Sequence, residues 1–283
     1  MFETISRSFR LMKESWNILQ KDKELLMFPV FSGILTIILF ASFMIPIVFA
    51  EMYSEANAIL GTPLLYLLIF VFYFLASIIV VYFNVALIAC AKMRLEGKNP
   101  TLKDGFKAAS GHWGKIIGWS ALNATVGLVI RVIVDQIEEK SPLLAGIVSG
   151  ILGAAWSILT FFVIPVMVFE GKGVIASIKE SGAMIKHTWG ERLTAGFSMG
   201  IGFMLLYLLA AIPLVLGVFV FTSTAALFIG IGITALLWIV IATVSSALQG
   251  IFIAALYHYV RTGKVEGFSG DEVKHAFVGK KRG

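Results

Sequence analysis

Six apolar stretches, each long enough to cross a bilayer, occupy most of this 283-residue chain. A helical span needs about 20 apolar residues. Leu25–Ala50, Pro63–Ala91, Ile116–Val134, Leu143–Phe169, Thr194–Val220 and Ala225–Val260 all answer to that description. Hydrocarbon offers no water to peptide N–H and C=O groups, so stretches of this length must bond their backbone internally as α-helices. Soluble domains carry about 25% charged residues. Here only 14% are charged and 58% are hydrophobic, which excludes the soluble classes and leaves an all-α integral membrane protein.

The basic residues fix an orientation. Arg7, Arg10, Lys13, Lys21 and Lys23 precede the first stretch, and Lys92, Arg94, Lys98, Lys103, Lys107 and Lys115 follow the second. Lys172, Lys179, Lys186 and Arg192 follow the fourth, and Arg261, Lys264, Lys274, Lys280, Lys281 and Arg282 close the chain. Of 23 Lys and Arg, only Arg131 and Lys140 fall on the other side. Short basic loops resist translocation, so both termini are expected in the cytoplasm of a multi-pass cell-membrane protein. The net charge of +6 then points to anionic headgroups, at about 1 kcal/mol per basic residue. No nucleic-acid module accompanies it. A weak break at Thr222–Ser223–Thr224 could divide the last 67 residues of the apolar set into three spans instead of two. Three would carry the basic C-terminus outside, so two long helices are expected, the second tilted, bent or projecting.

Helix boundaries are legible. Thr62–Pro63 and Ser141–Pro142 each place a capping residue before a proline at the first helical position. Pro46, Pro165 and Pro213 are expected to kink or end their helices. Between the spans, Phe2, Ile5, Phe9, Met12, Trp16 and Leu19 step at helical spacing along one face. Leu102, Phe106, Ala109 and Trp113 do so again, as do Ile175, Ile178, Gly182, Ile185 and Trp189. Each of these reads as an amphipathic helix in the cytoplasmic interface, ending in a Trp at headgroup depth. Every even-numbered span leaves through a Gly-Lys step: Gly97–Lys98, Gly171–Lys172 and Gly263–Lys264. Such a glycine ends a helix in a left-handed cap, with lysine favoured at the negative terminus.

The resulting fold is one domain over 1–283, built of three parallel repeats of interfacial helix plus hairpin. The units run about 1–98, 99–172 and 173–264, with a cytoplasmic tail at 265–283 in which a capping box, Ser269 to Glu272, begins a fourth helix. Gly146–Gly150 and Gly196–Gly200, near Gly153, are expected to mark close helix-packing faces.

The run Ser15–Trp16, Lys21–Asp22–Lys23–Glu24–Leu25–Leu26 and Phe28–Pro29, within SRSFRLMKESWNILQKDKELLMFPVFSGI, resembles the opening of a prokaryotic six-span membrane family catalogued as a domain of unknown function. More loosely, the alternation of interfacial helix and hairpin is similar to the membrane domain attached to some glycerophosphodiester phosphodiesterases. No catalytic phosphodiesterase domain is present, so the likeness implies class, topology and a lean toward lipids.

Candidate sites divide into three groups. Lipid contact at the interface is expected of Trp16, Trp113, Trp189, Arg10, Lys13, Lys107 and Lys186. The helix exits are Gly97, Lys98, Gly171, Lys172, Gly263 and Lys264. Asn84, Asn123, Gln249 and Arg131 are polar groups within or near spans that could line a cavity. The competing reading of the amides is interhelical hydrogen bonding, at about 0.6–2 kcal/mol each. That of Arg131 is pairing with Asp135 four residues on, or snorkelling to the outer headgroups. The lone Cys90 allows no intrachain disulfide, and the four histidines lack metal-ligand spacing. No cofactor or metal is expected, and no catalytic constellation is present. The chain therefore reads as a non-enzymatic membrane protein acting through lipids, a membrane-protein partner or a second copy of itself at the inner face. The alternative is a small-solute transporter or channel built around a pseudo-threefold bundle.

Overall fold

The computed structural model of the chain describes residues 13, 15–52, 63–189, 194–220 and 223–262. Every regular element among the described residues is helical. A short helical segment over 15–21 leads through Asp22 into the 3-10 turn Lys23–Leu26. Then come α1 (Met27–Met52), α2 (Pro63–Leu95), α3 (Leu102–Ser110), α4 (Trp113–Glu138) and α5 (Pro142–Leu159). They are followed by α6 (Val163–Phe169), α7 (Val174–Trp189), α8 (Thr194–Ala210), α9 (Ile212–Phe219) and α10 (Thr224–Thr262). Six helical runs are long and apolar enough to cross a membrane: Lys23–Phe49, Tyr66–Leu95, Trp113–Glu138, Pro142–Phe169, Gly202–Phe219 and Thr224–Thr262. Large side chains such as Ile37, Ile38, Leu143, Ile151, Leu208 and Leu236 stand exposed along them. An apolar surface of that extent belongs against hydrocarbon rather than water, and the architecture is that of a multi-pass membrane protein.

The chain gathers into two compact units, a central one of residues 30–89 and 102–186 and a terminal one of 1–29, 90–101 and 187–283. In the central unit α4 and α5 pack as a hairpin, and Trp119 stacks on Trp156 with ring centroids 5.9 Å apart. Ser141 caps α5, accepting the Leu144 N–H at 3.4 Å, with Pro142 behind it. The fourth span is interrupted at Thr160–Phe162. Thr160 turns its hydroxyl back onto the Trp156 carbonyl at 2.7 Å, a bond that bends helices, and Pro165 lies within the next turn. The freed Phe162 N–H donates to the buried Ser181 hydroxyl of α7 at 3.0 Å.

Helix α7 buries part of the stripe that its spacing marks, at Ile185, together with residues beside that stripe. Ser177, Ser181, Met184 and Ile185 are buried while Ile175 is exposed. A Cβ at Gly182 would stand 3.0 Å from the Leu159 side chain. Small residues let α7 approach the interrupted span, and that approach decides which face turns inward. Helix α3 likewise buries Gly105 and Ala109 and lays Phe106 against Phe31, Tyr82 and Phe83 at 6.1–6.4 Å. It ends at Ser110. His112 donates its backbone N–H to the Ala109 carbonyl at 2.9 Å and its Nδ1–H to Ala108 at 2.7 Å. Trp113 is therefore the first residue of α4 rather than the last of α3.

In the terminal unit the fifth span is interrupted at Ala211, two residues before Pro213. The Leu214 N–H donates to the buried Thr234 hydroxyl of α10 at 3.2 Å, and the Trp238 indole donates to the Tyr207 carbonyl at 3.1 Å. Helix α9 lies closely on α10. A Cβ on Gly217 would stand 2.8 Å from the Ala226 carbonyl oxygen, and one on Gly230 only 2.6 Å from that of Pro213. Pro46, by contrast, is carried inside an unbroken α1. Helix α10 is also unbroken over 39 residues, about 58 Å at 1.5 Å per residue. Towards its end Ala247, Leu248, Ile251, Phe252, Ala254 and Ala255 are buried.

The expected glycine faces need correction. Nothing lies within 4 Å of a Cβ built on Gly146, Gly150, Gly153 or Gly200, and the surroundings of Gly196 fall outside the described residues. Close approach occurs instead at Gly182, Gly217 and Gly230, because spacing tells which glycines share a face and not whether another backbone lies opposite. Gly230→Ala should therefore destabilise by about 1–3 kcal/mol, whereas Gly232→Ala, which meets nothing within 4 Å, should be neutral or stabilising through helix propensity. Ser181→Ala should cost about 1–3 kcal/mol by orphaning the Phe162 N–H. Thermal unfolding in one detergent measures all three, and equal melting of the Gly230 and Gly232 variants would contradict the packing.

Candidate functional site

Three helices of the central unit bring their polar residues to one place. Asn123 on α4 accepts the Trp156 indole N–H at 2.9 Å and donates through Nδ2 to the Ser77 hydroxyl of α2 at 3.5 Å. They line a cavity of about 360 Å³, together with Tyr73, Val80, Val81, Ala124 and Gly127. The volume falls within the usual range for small-molecule sites. No lining side chain is charged. A Trp in the middle of a span, far from the interfacial belts, needs a partner for its N–H. Sequence reasoning selected Asn123 and missed Trp156 and Ser77, although that rule could have flagged Trp156.

Two span exits form a second set of groups. At the end of α2, Gly97 has φ 77°. Its N–H bonds to the Arg94 carbonyl and the Lys98 N–H to that of Met93, each at 3.0 Å, which is the Schellman arrangement. Gly171 after α6 has φ 69°. There the Lys115 ammonium donates to the Met167 carbonyl at 3.1 Å, the position equivalent to Met93. Lys172 pairs with Glu170 at 2.9 Å and Glu180 at 3.0 Å, and these bonds hold its ammonium above the ordinary lysine value. Gly263 and Lys264 lie outside the described residues.

Arg94, which sequence reasoning left as one basic residue among many, organises the terminal unit's base. Its guanidinium donates to the Lys21 carbonyl at 3.1 Å and to Asn99 Oδ1 at 3.0 Å. Its Nε stands 3.1 Å from Asp22 Oδ2, out of line for a hydrogen bond, so the two meet as charges. Burial pushes the Asp22 carboxyl above its usual range, Arg94 offsets this only in part, and Glu24 adds to the rise. Cys90 is buried, its thiol toward the Thr101 carbonyl at 3.6 Å.

The remaining candidates are dispersed. Arg131 pairs with Asp135 at 2.8 Å along α4 and is 60% exposed, away from the cavity lining. Asn84 belongs to the central unit and Gln249, exposed, to the terminal one; neither lines the Asn123 cavity. Trp113 is 46% exposed and stacks on Tyr82, while Trp16 is 40% exposed. Lys13, Lys107 and Lys186 are exposed. Arg10 and the Trp189 side chain lie outside the described residues. Among the described residues no group of three His, Cys, Asp or Glu is placed to hold a metal ion.

Residues 63–268 match the model of a family of unknown function, DUF6159. The chain belongs to this family. The DUF6159 match takes in the Asn123 cavity and both described glycine exits, and it begins after the Ser15–Pro29 run that carried the resemblance. No curated protein matches the chain.

Partial burial raises the Glu96 carboxyl, but hydrogen bonds and charge from Lys98 and Lys92 outweigh it and hold the group below its ordinary value. A depressed carboxylate contributes stability above its unfolded value, about pH 4.3, and loses it as pH falls through the lower folded one. Glu96→Gln should therefore lower stability slightly at neutral pH and flatten its acid-side fall. An unchanged slope below pH 4.3 in detergent unfolding curves would contradict this.

Proposed function

We propose that this DUF6159 protein is a non-enzymatic protein of the cell membrane, with both termini cytoplasmic, that acts by gathering anionic lipid headgroups at its cytoplasmic face. The observation that carries this reading is the exposure of Trp16 and Trp113 beside buried neighbours. The segment over 15–21 buries Ser15, Ile18 and Leu19 and leaves Trp16 outward. Helix α3 buries Gly105 and Ala109, and Trp113 follows it outward. Trp at the boundary of a span, with exposed Lys13, Lys107 and Lys186 nearby in sequence, suits headgroup depth. On this reading α3 and α7 lie in the interface. A membrane-protein partner or a second copy would meet the same face.

The threefold repeat belongs to the proposal and has two supports. Gly97 and Gly171 adopt the same left-handed conformation at corresponding exits. The exits of the second and sixth spans also correspond in sequence, Asn84–x–x–Leu–Ile–Ala against Gln249–x–x–Phe–Ile–Ala, and both run into buried helix, all of Val85–Ala91 and most of Gly250–Tyr257.

The two interrupted spans favour one alternative, a small-solute transporter or channel, because broken helices line binding sites in many transporters. Flux through proteoliposomes that Asn84→Leu or Gln249→Leu alters would move the assignment to transport.

Native mass spectrometry with added phosphatidylglycerol tests the lipid reading. Lys107→Gln with Lys186→Gln should weaken retention about fivefold per lysine. Replacing Trp113 and Trp189 with Ala should weaken it more than replacing Asn84 and Gln249 with Leu. The reverse order would overturn the proposal. A reporter active only in the cytoplasm, fused after Gly283, should be active; silence there would overturn the orientation.

A further inference from the structure

The Asn123 cavity has a chemistry of its own, separate from the headgroup contacts. Ser77, Asn123 and Trp156 fall near the middle of the spans Tyr66–Leu95, Trp113–Glu138 and Pro142–Phe169. The cavity therefore sits at hydrocarbon depth, where a charged ligand is costly. Its lining residues Tyr73 and Val80 are 50% and 41% exposed, so the cavity opens at the surface of the central unit.

The polar groups select within that class. Trp156 donates to Asn123 Oδ1 at 2.9 Å, and Trp119 stacked on Trp156 holds the indole in place. That bond fixes the amide so that its NH₂ is the end left for other partners. A primary amide has two N–H donors, and the contact to Ser77 Oγ, at 3.5 Å, is a long one for the single donor it uses. The cavity thus offers a donor in hydrocarbon, where an unmatched donor is costly and a matched one selective.

We propose that the Asn123 cavity binds an uncharged, bilayer-borne molecule that presents a carbonyl oxygen to the Asn123 amide, with its apolar body against Tyr73, Val80, Val81 and Gly127. An acyl ester and a free apolar ketone or quinone both offer that acceptor.

Gly127 supplies the control that Asn123 alone cannot. Nothing lies within 4 Å of a Cβ built there, so a side chain can start from Gly127 without a backbone clash, and Gly127→Leu places one at the cavity lining. The probe is benzophenone, an apolar photoreactive ketone, applied to the full chain in lipid nanodiscs and mapped by peptide mass spectrometry. Saturable labelling is expected on α2 or α4, blocked by excess unlabelled ketone and about tenfold less well by diphenylmethane, which lacks the carbonyl. Asn123→Leu should weaken labelling about tenfold, and Gly127→Leu should abolish it while retaining the wild-type melting temperature. Lys107→Gln should leave it unchanged, which separates this site from the headgroup reading. Organic extraction of the purified protein distinguishes the sources: a glycerolipid or an apolar ketone or quinone, either one depleted in Gly127→Leu, supports the site. Labelling that does not saturate, that Gly127→Leu leaves intact, or that diphenylmethane blocks as well as the ketone would overturn it.

Discussion

A peptide N–H released inside hydrocarbon has no water to turn to, and an unmet one costs several kcal/mol. Among the described residues such groups are released at Phe162 in the fourth span and at Leu214 in the fifth, each close to a proline. In both places a buried hydroxyl on another helix takes the bond: Ser181 in the central unit, Thr234 in the terminal one. Those two bonds determine much of the remaining packing. Ser181 can reach Phe162 only if α7 comes close, which puts Ser177, Ser181 and Gly182 on the near face and turns Ile175 outward. Thr234 can reach Leu214 only if α9 lies tightly on α10, and the glycines at 217 and 230 make that approach possible.

The same requirement explains what could be read from the sequence and what could not. All six spans were legible, because length and apolarity are properties of one segment; Leu143–Phe169 and Thr194–Val220 were each located although each is broken. The break positions followed less well. Pro46 sits in a continuous helix, whereas Pro165 and Pro213 adjoin breaks, and the difference lies in partners far away in sequence. Helix rotation was hidden for the same reason. Apolar periodicity puts Ile175, Ile178, Gly182, Ile185 and Trp189 on one face of α7 without saying which of them meets protein and which lipid; inside a membrane protein both faces of a helix can be apolar, and small residues select the face that touches protein. Gly146 and Gly150 had the right spacing for close packing and no helix opposite them.

Asn123 shows the boundary within a single site. An amide in the middle of a span is conspicuous in the sequence, since polar groups there are costly and few. Its partner is not, because Trp156 lies 33 positions away on the other arm of the α4–α5 hairpin. Knowing the hairpin would have been enough: mid-span residues of its two arms stand at matching depth, and an indole N–H at that depth must find an acceptor. Ser77 lies on α2, outside the hairpin, and nothing local pointed to it.

The basic residues that point to an orientation do not remain equivalent once the chain has folded. Arg94 holds the Lys21 carbonyl and Asn99 and faces Asp22; Lys115 covers the Met167 carbonyl; Lys172 bridges Glu170 and Glu180; Lys92 and Lys98 both meet Glu96. These charges serve helix ends and turns, and a headgroup would have to compete with partners already at about 3–3.6 Å. Lys13, Lys107 and Lys186 are exposed instead. A rule that counts all cations equally describes how the chain enters the membrane. On the proposed lipid reading, the field at an anionic leaflet would come mainly from such exposed lysines, and Lys107 lies in the helix that leads to Trp113, while Lys13 lies three residues before Trp16.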